Sequence, residues 1–219
     1  MEEEKFEYVT DGLTIRVVNA PDADDPTKKT IETFYPNGQL ETRRTFQNGV
    51  PIGEHRLYYP NGQLETKYSY KDGKLDGPVF VYYPNGQLRQ ESFYQKGLRQ
   101  GALKSYYPNG QLQLSVIFKD DKEEGPVEKY HPNGQLFEKY SMKDGKEDGL
   151  YQGFDDMGNL RLVRVYRMGT ILQGAEAESY LAALKTQESN QSAPKRIASS
   201  SKGTGIAQQK QSGPKTREE

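Results

Sequence analysis

The sequence predicts an all-β fold, an elongated single-layer antiparallel β-hairpin repeat array, and three observations carry that prediction. The run Pro-Asn-Gly-Gln-Leu recurs five times with a 24-residue period, at Pro36 to Leu40, Pro60 to Leu64, Pro84 to Leu88, Pro108 to Leu112 and Pro132 to Leu136. A degenerate sixth copy keeps the step at Gly158 and Leu160. A fixed period of that length marks a repeat array. A second pair of glycines, such as Gly73 and Gly77, keeps the same period, so each unit holds two turn signals and two short extended runs. Only 33% of the 219 residues are hydrophobic, while 16 are Tyr and 8 are Phe, which suits a thin, aromatic-rich sheet better than a thick core.

Residues 1–29 read as a capping hairpin and a loop. Phe6 to Val18 alternates around Asp11-Gly12, a hairpin turn signal, and Asn19 to Lys29, with two prolines and three aspartates, reads as a surface loop. Residues 30–173 hold the repeats. In the copy from Gly53 to Asp76, a two-residue turn would place Pro60 where a backbone N–H is needed. A type I turn with Pro60 and Asn61 in its centre and Gly62 in the left-handed region fits all three residues. That turn pairs Tyr59 with Gln63 and sets Tyr58 opposite Leu64. Plain alternation from Leu64 then collects Tyr58, Leu64, Tyr68 and Tyr70 on one aromatic face and sends Glu65, Lys67 and Ser69 to a charged one.

The second turn falls at Lys71-Asp72-Gly73. One copy carries Asp121 where glycine is expected; aspartate tolerates the left-handed region, which predicts a slightly strained turn and an intact repeat. Two strands per repeat at ~4.8 Å each give a meander on the order of 55 Å long, stabilised by side-chain ladders between neighbours. Residues 174–187 place Ala177, Tyr180, Leu181 and Leu184 at helical spacing, a short amphipathic helix that covers the last open edge or docks a partner. Residues 188–219, rich in Ser, Gln, Lys, Gly and Pro, read as a disordered tail.

Tyr-Tyr-Pro-Asn-Gly-Gln-Leu, followed by an aromatic and then Lys-Asp-Gly-Lys-Xaa-Asp-Gly, resembles the bacterial variant of the MORN repeat (membrane occupation and recognition nexus). The resemblance covers about 140 residues and implies an elongated hairpin array that binds other proteins, sometimes lipids, and often self-associates. Many bacterial chains of this type are grouped as candidate antitoxins of toxin–antitoxin or immunity systems. The sixth copy departs from the pattern at Phe154 to Asn159 and at Gln173, and reads as a terminal repeat.

Catalysis has little support in these residues. His55 and His131 fall in different columns and replace residues that are apolar or aromatic in sibling copies, which predicts neither a metal pair nor a general base. Asp72, Asp76, Asp144 and Asp148 sit beside turn glycines, where aspartate is a favoured turn residue. No cofactor is expected. Lys and Arg number 30 against 31 Asp and Glu, giving no basic field for nucleic acid. There is no cysteine, which excludes disulfides and thiolate metal sites without choosing a compartment; the acidic start, Met1 to Phe6, and the lack of a long apolar run give the expectation of a cytoplasmic chain with a membrane role disfavoured. The predicted partner-binding residues are the columns Tyr59, Tyr83, Tyr107 and His131, and Tyr58, Tyr82 and Tyr106, because tyrosine joins a large apolar area to a polar tip. The predicted function is a non-catalytic protein-binding module, an antitoxin that blocks a toxin encoded nearby; the alternatives are a self-associating scaffold, including a homodimer, and a lipid or cell-wall binder.

Overall fold

The computed structural model describes residues 5–10, 13–19 and 25–191, with side chains described from 25 to 186. An N-terminal hairpin pairs β1 (Lys5–Thr10) with β2 (Leu13–Asn19). The array follows as β3 (Lys28–Phe34), β4 (Leu40–Gln47), β5 (Val50–Pro51), β6 (Gly53–Tyr58), β7 (Leu64–Lys71), β8 (Lys74–Leu75) and β9 (Gly77–Tyr82). It continues through β10 (Leu88–Gln95), β11 (Leu98–Arg99), β12 (Gly101–Tyr106), β13 (Leu112–Lys119), β14 (Lys122–Tyr130) and β15 (Leu136–Lys143). It ends with β16 (Lys146–Glu147), β17 (Gly149–Phe154), β18 (Leu160–Arg167), β19 (Thr170–Leu172) and the helix α1 (Gly174–Gln191). All pairings are antiparallel and follow chain order, so the described residues form one open sheet built as a meander, with one helix after it. The loop predicted between 19 and 29 falls partly, and the predicted tail from 192 onward entirely, outside the described residues.

The Pro-Asn-Gly turn has the predicted geometry. Tyr59 N–H donates to Gln63 at 2.8 Å, Gly62 N–H donates to Tyr59 at 2.8 Å, and Gly62 has φ +82°. The motif's remaining letters are explained by the next copy. A Cβ on Gly62 would lie 2.9 Å from Oε1 of Gln39, and Gln63, Gln111 and Gln135 likewise pack over the following glycine, whereas Gln87 accepts from its own turn's Asn85. At the second turn both central residues have positive φ, Asp72 at 50° and Gly73 at 72°, as a type I′ hairpin requires. Asp121 adopts φ +64° and β13 still pairs with β14, so the aspartate is accommodated at the cost of backbone ease and the repeat survives.

The facial assignment from plain alternation is corrected by the structure. Tyr58 faces Leu64 as predicted, but Leu57 pairs with Thr66, which leaves Glu65 as an extra residue in β7. That β-bulge recurs in every copy and shifts the alternation by one. Tyr68 and Tyr70 therefore share a face with His55 and Leu57, whereas Tyr58 and Leu64 share the other face with Glu54, Arg56 and Lys67. The first face holds the core: Leu103, Val116, Phe118 and Val127 are buried and pack with Leu114, Tyr140 and Met142. His55 is only 2% exposed, with its ring centroid 4.9 Å from that of Tyr70.

α1 extends past the predicted end at 187 to Gln191, and Ala177, Tyr180, Leu181 and Leu184 are its half-buried residues. It folds back over β17 and β18 on the charged face. Tyr180 Oη donates to Asp148 at 2.8 Å, and Arg167 pairs with Glu176 at 2.6 Å. Val165 and Leu172, paired strand to strand, are buried beneath this end of the molecule.

Candidate binding surface

The column of Tyr59 is an inter-repeat latch. The hydroxyl of Tyr59 donates to the carbonyl of Tyr82 at 2.7 Å, that of Tyr83 to Tyr106 at 2.7 Å and that of Tyr107 to Tyr130 at 2.8 Å. His131 keeps the bond by donating from Nε2 to Phe154 at 3.2 Å, which requires the Nε2–H tautomer. Tyr35, absent from the sequence prediction, begins the series by donating to Tyr58 at 2.7 Å. Motif asparagines run alongside: Asn61 Nδ2 donates to Pro84 at 2.9 Å while its Oδ1 accepts from Gln63 N–H at 3.0 Å. Each first turn thus holds the next.

The column stops being tyrosine where the array stops. Asp155 stands in its sixth position and accepts from the backbone of Met157 and Asn159 and from Arg161. Those bonds, led by Asn159, hold its carboxyl down to about 2. The change from Tyr107 through His131 to Asp155 therefore follows the need for a latch, and no partner is required to explain it. The second turns are clasped in the same manner, with Asp76 accepting from Lys96 N–H at 2.9 Å and Asp148 from Met168 N–H at 2.9 Å. Asp76 and Asp148 thus accept from backbone amides of the following turn, a bond that the sequence reading of them as turn residues did not assign.

The face opposite the core carries the other predicted column. Tyr58, Tyr82 and Tyr106, continued by Tyr130, lie half-buried among ion pairs. Tyr106 Oη donates to Glu91 at 3.0 Å and Tyr130 Oη to Glu128 at 2.8 Å, while Glu54 pairs with Lys67 at 2.8 Å and Glu128 with Lys139 at 3.0 Å. Burial first, then the Glu91 carboxylate, raises the Tyr106 phenol. The Lys67 bond is the leading cause that lowers Glu54.

Two residues on this face escaped the sequence reading. Phe93, opposite Pro78, is 45% exposed, and Ile117, opposite Ala102, is 40% exposed. Their column holds Ser69 and Ser141 in other copies, so no periodic signal marked it. Together with Tyr82 and Tyr106 they form an amphipathic surface over repeats two to four, which α1 leaves uncovered. The structure brings Tyr58, Tyr82 and Tyr106 to that surface, and sets Tyr59, Tyr83, Tyr107 and His131 at the turn end.

Among the described residues there is no cluster of three or more His, Asp or Glu side chains able to hold a metal, and no helix is long and apolar enough to cross a membrane. No curated protein matches the chain. The MORN repeat variant family matches residues 30–48, 51–72, 75–96, 99–120 and 123–144, leaving out the sixth copy although β17 and β18 retain the turn and bulge of the others. Five tandem matches, each carrying the same latch, turn and bulge, show that the chain belongs to the MORN repeat variant family.

Proposed function

We propose that the chain is a non-catalytic protein-binding module whose partner lies on the charged face of repeats two to four, and that this partner is a toxin whose active site it covers. The observation that carries the binding reading is the uncovered pair Phe93 and Ile117 set beside Tyr82 and Tyr106 among ion pairs. Aromatic anchors ringed by charges suit a protein surface, where a few desolvated side chains supply most of the affinity. The repeat fold supports a binding role over a catalytic one, since MORN repeats are not a known enzyme class. The toxin reading rests on the resemblance to candidate antitoxins.

The test is growth after induced expression of each flanking gene, with and without this chain. An antitoxin restores growth arrested by one neighbour and co-purifies with its product. Phe93→Asp and Ile117→Asp, both on solvent-facing positions, should then abolish rescue while the sheet signal in circular dichroism persists. If no neighbour is toxic and the chain purifies without one, the toxin reading fails and a cytoplasmic scaffold takes its place.

A further inference from the structure

We propose that the outer edge of β18 is a docking edge for strand β1 of a second copy of this chain, continuing the array head to tail. This goes beyond the toxin reading and does not depend on it. In interior copies the corresponding residues pair outward with the next repeat: Thr66 with Val81 and Lys67 with Phe80, Gln90 with Ser105 and Glu91 with Lys104, Glu138 with Gly153 and Lys139 with Gln152. Their counterparts Leu162 and Val163 have no outward partner among the described residues, because β19 pairs only with Val165 to Arg167 and the chain then turns away into α1. An unpaired row of backbone N–H and C=O groups is thus left along 160–164.

Natural sheets guard such an edge with charge. Here the guard is missing where the interior has it. The column reads Arg43, Lys67, Glu91, Ser115 and Lys139, and then Val163, which is 51% exposed next to exposed Leu160 and Leu162. An apolar residue in this column, on the strand whose outer edge is unpaired, is the pattern of a surface that receives a strand.

Three features favour β1 as the occupant. Its outer edge is the other unpaired one, since among the described residues β1 pairs only with β2. Strand directions alternate throughout the meander, so β1 runs like β17 and would lie antiparallel to β18, in step with the sheet. The charges are complementary: β18 carries Arg161, Arg164 and Arg167, of which Arg164 has no ion pair among the described residues, whereas residues 1–10 contain Glu2, Glu3, Glu4 and Glu7 against Lys5. Such a heterologous contact does not close on itself and yields open chains.

Sedimentation of the full chain tests this over roughly 5 to 500 µM, a range suited to a small strand-edge contact. Thr45, Ser69, Phe93 and Ser141 accept outward backbone bonds, which fixes the phase and points the Val163 N–H outward too. Thr10 pairs with Leu13 across a two-residue link, which points the Glu7 N–H away from β2. The average mass of the native chain should climb with concentration. Val163→Pro and Glu7→Pro should each stay monomeric alone, and an equimolar mixture should form a one-to-one dimer. Val163→Lys, which retains the N–H but restores a guarding charge, should weaken association at least tenfold and keeps the test valid if either proline variant misfolds. A native chain that stays monomeric to 500 µM overturns the proposal, and so does a Glu7→Pro variant that associates like the native chain.

Discussion

At the scale of single residues, the tyrosines of the repeat motif divide into two kinds. Tyr83 spends its hydroxyl on the Tyr106 carbonyl at 2.7 Å, so Tyr83→Phe should cost about 1 kcal/mol, the net worth of one hydrogen bond, and leave the spectrum of the folded chain unchanged. Urea unfolding reads that loss; a chain as stable as the native one would mean the latch is decorative. His55 offers a second test. Burial, the leading cause, holds its imidazole below 6.5 even though its Nε2 meets the Thr45 carbonyl. The unfolded chain therefore binds a proton more readily, so the contribution of this group is constant above the unfolded value of 6.5 and is lost as pH falls below it. Stability should decline toward pH 5 by at most about 1.4 kcal/mol per pH unit from this residue, the limit for one proton. His55→Leu, matching Leu103 in the same column, should remove that slope in thermal melts taken at each pH.

At the scale of elements, the turns were legible and the bulge was not. Proline, asparagine and glycine each fix a backbone angle or a local bond, so Pro60-Asn61-Gly62 announces its turn without help from the rest of the chain. Glu65 announces nothing, since a bulged residue in an alternating strand has no distinct chemistry and only the pairing of Leu57 with Thr66 reveals it. That one residue decides whether Tyr58 faces the core or the charges. The four apolar positions of α1 were likewise readable, but their destination was set by contact with β17 and β18. Leu181→Ala combined with Leu184→Ala should release the helix, because a lone 18-residue helix with only partial burial is marginal in water. Circular dichroism at 222 nm should lose the helical signal while the sheet's melting temperature shifts by no more than about 3 °C. A much larger shift would mean that α1 supports the array as well as resting on it.

At the scale of the whole molecule, the latches and clasps between turns each span about one repeat: Tyr59 to Tyr82, Asn61 to Pro84, Asp76 to Lys96. Stability should then add up from units and their junctions. Deleting residues 77–100 joins Asp76 to Gly101 and restores each latch in register, with Tyr59 meeting the carbonyl of Tyr106. The shortened chain should fold, lose about 10 Å of length in solution scattering and lose roughly a sixth of the urea m-value. An unfolded product would refute the modular account. What the sequence determined by itself was the repeat, its two turns, the pairing of Tyr58 with Leu64 and the open, single-layer character, because each follows from local backbone chemistry copied at a fixed step. What only the tertiary structure decided was the face on which each column lies, the use of Tyr59 and its siblings as latches, and the exposed stretch of β18. Those depend on which strand lies beside which, and a residue carries no mark of its neighbour across a sheet.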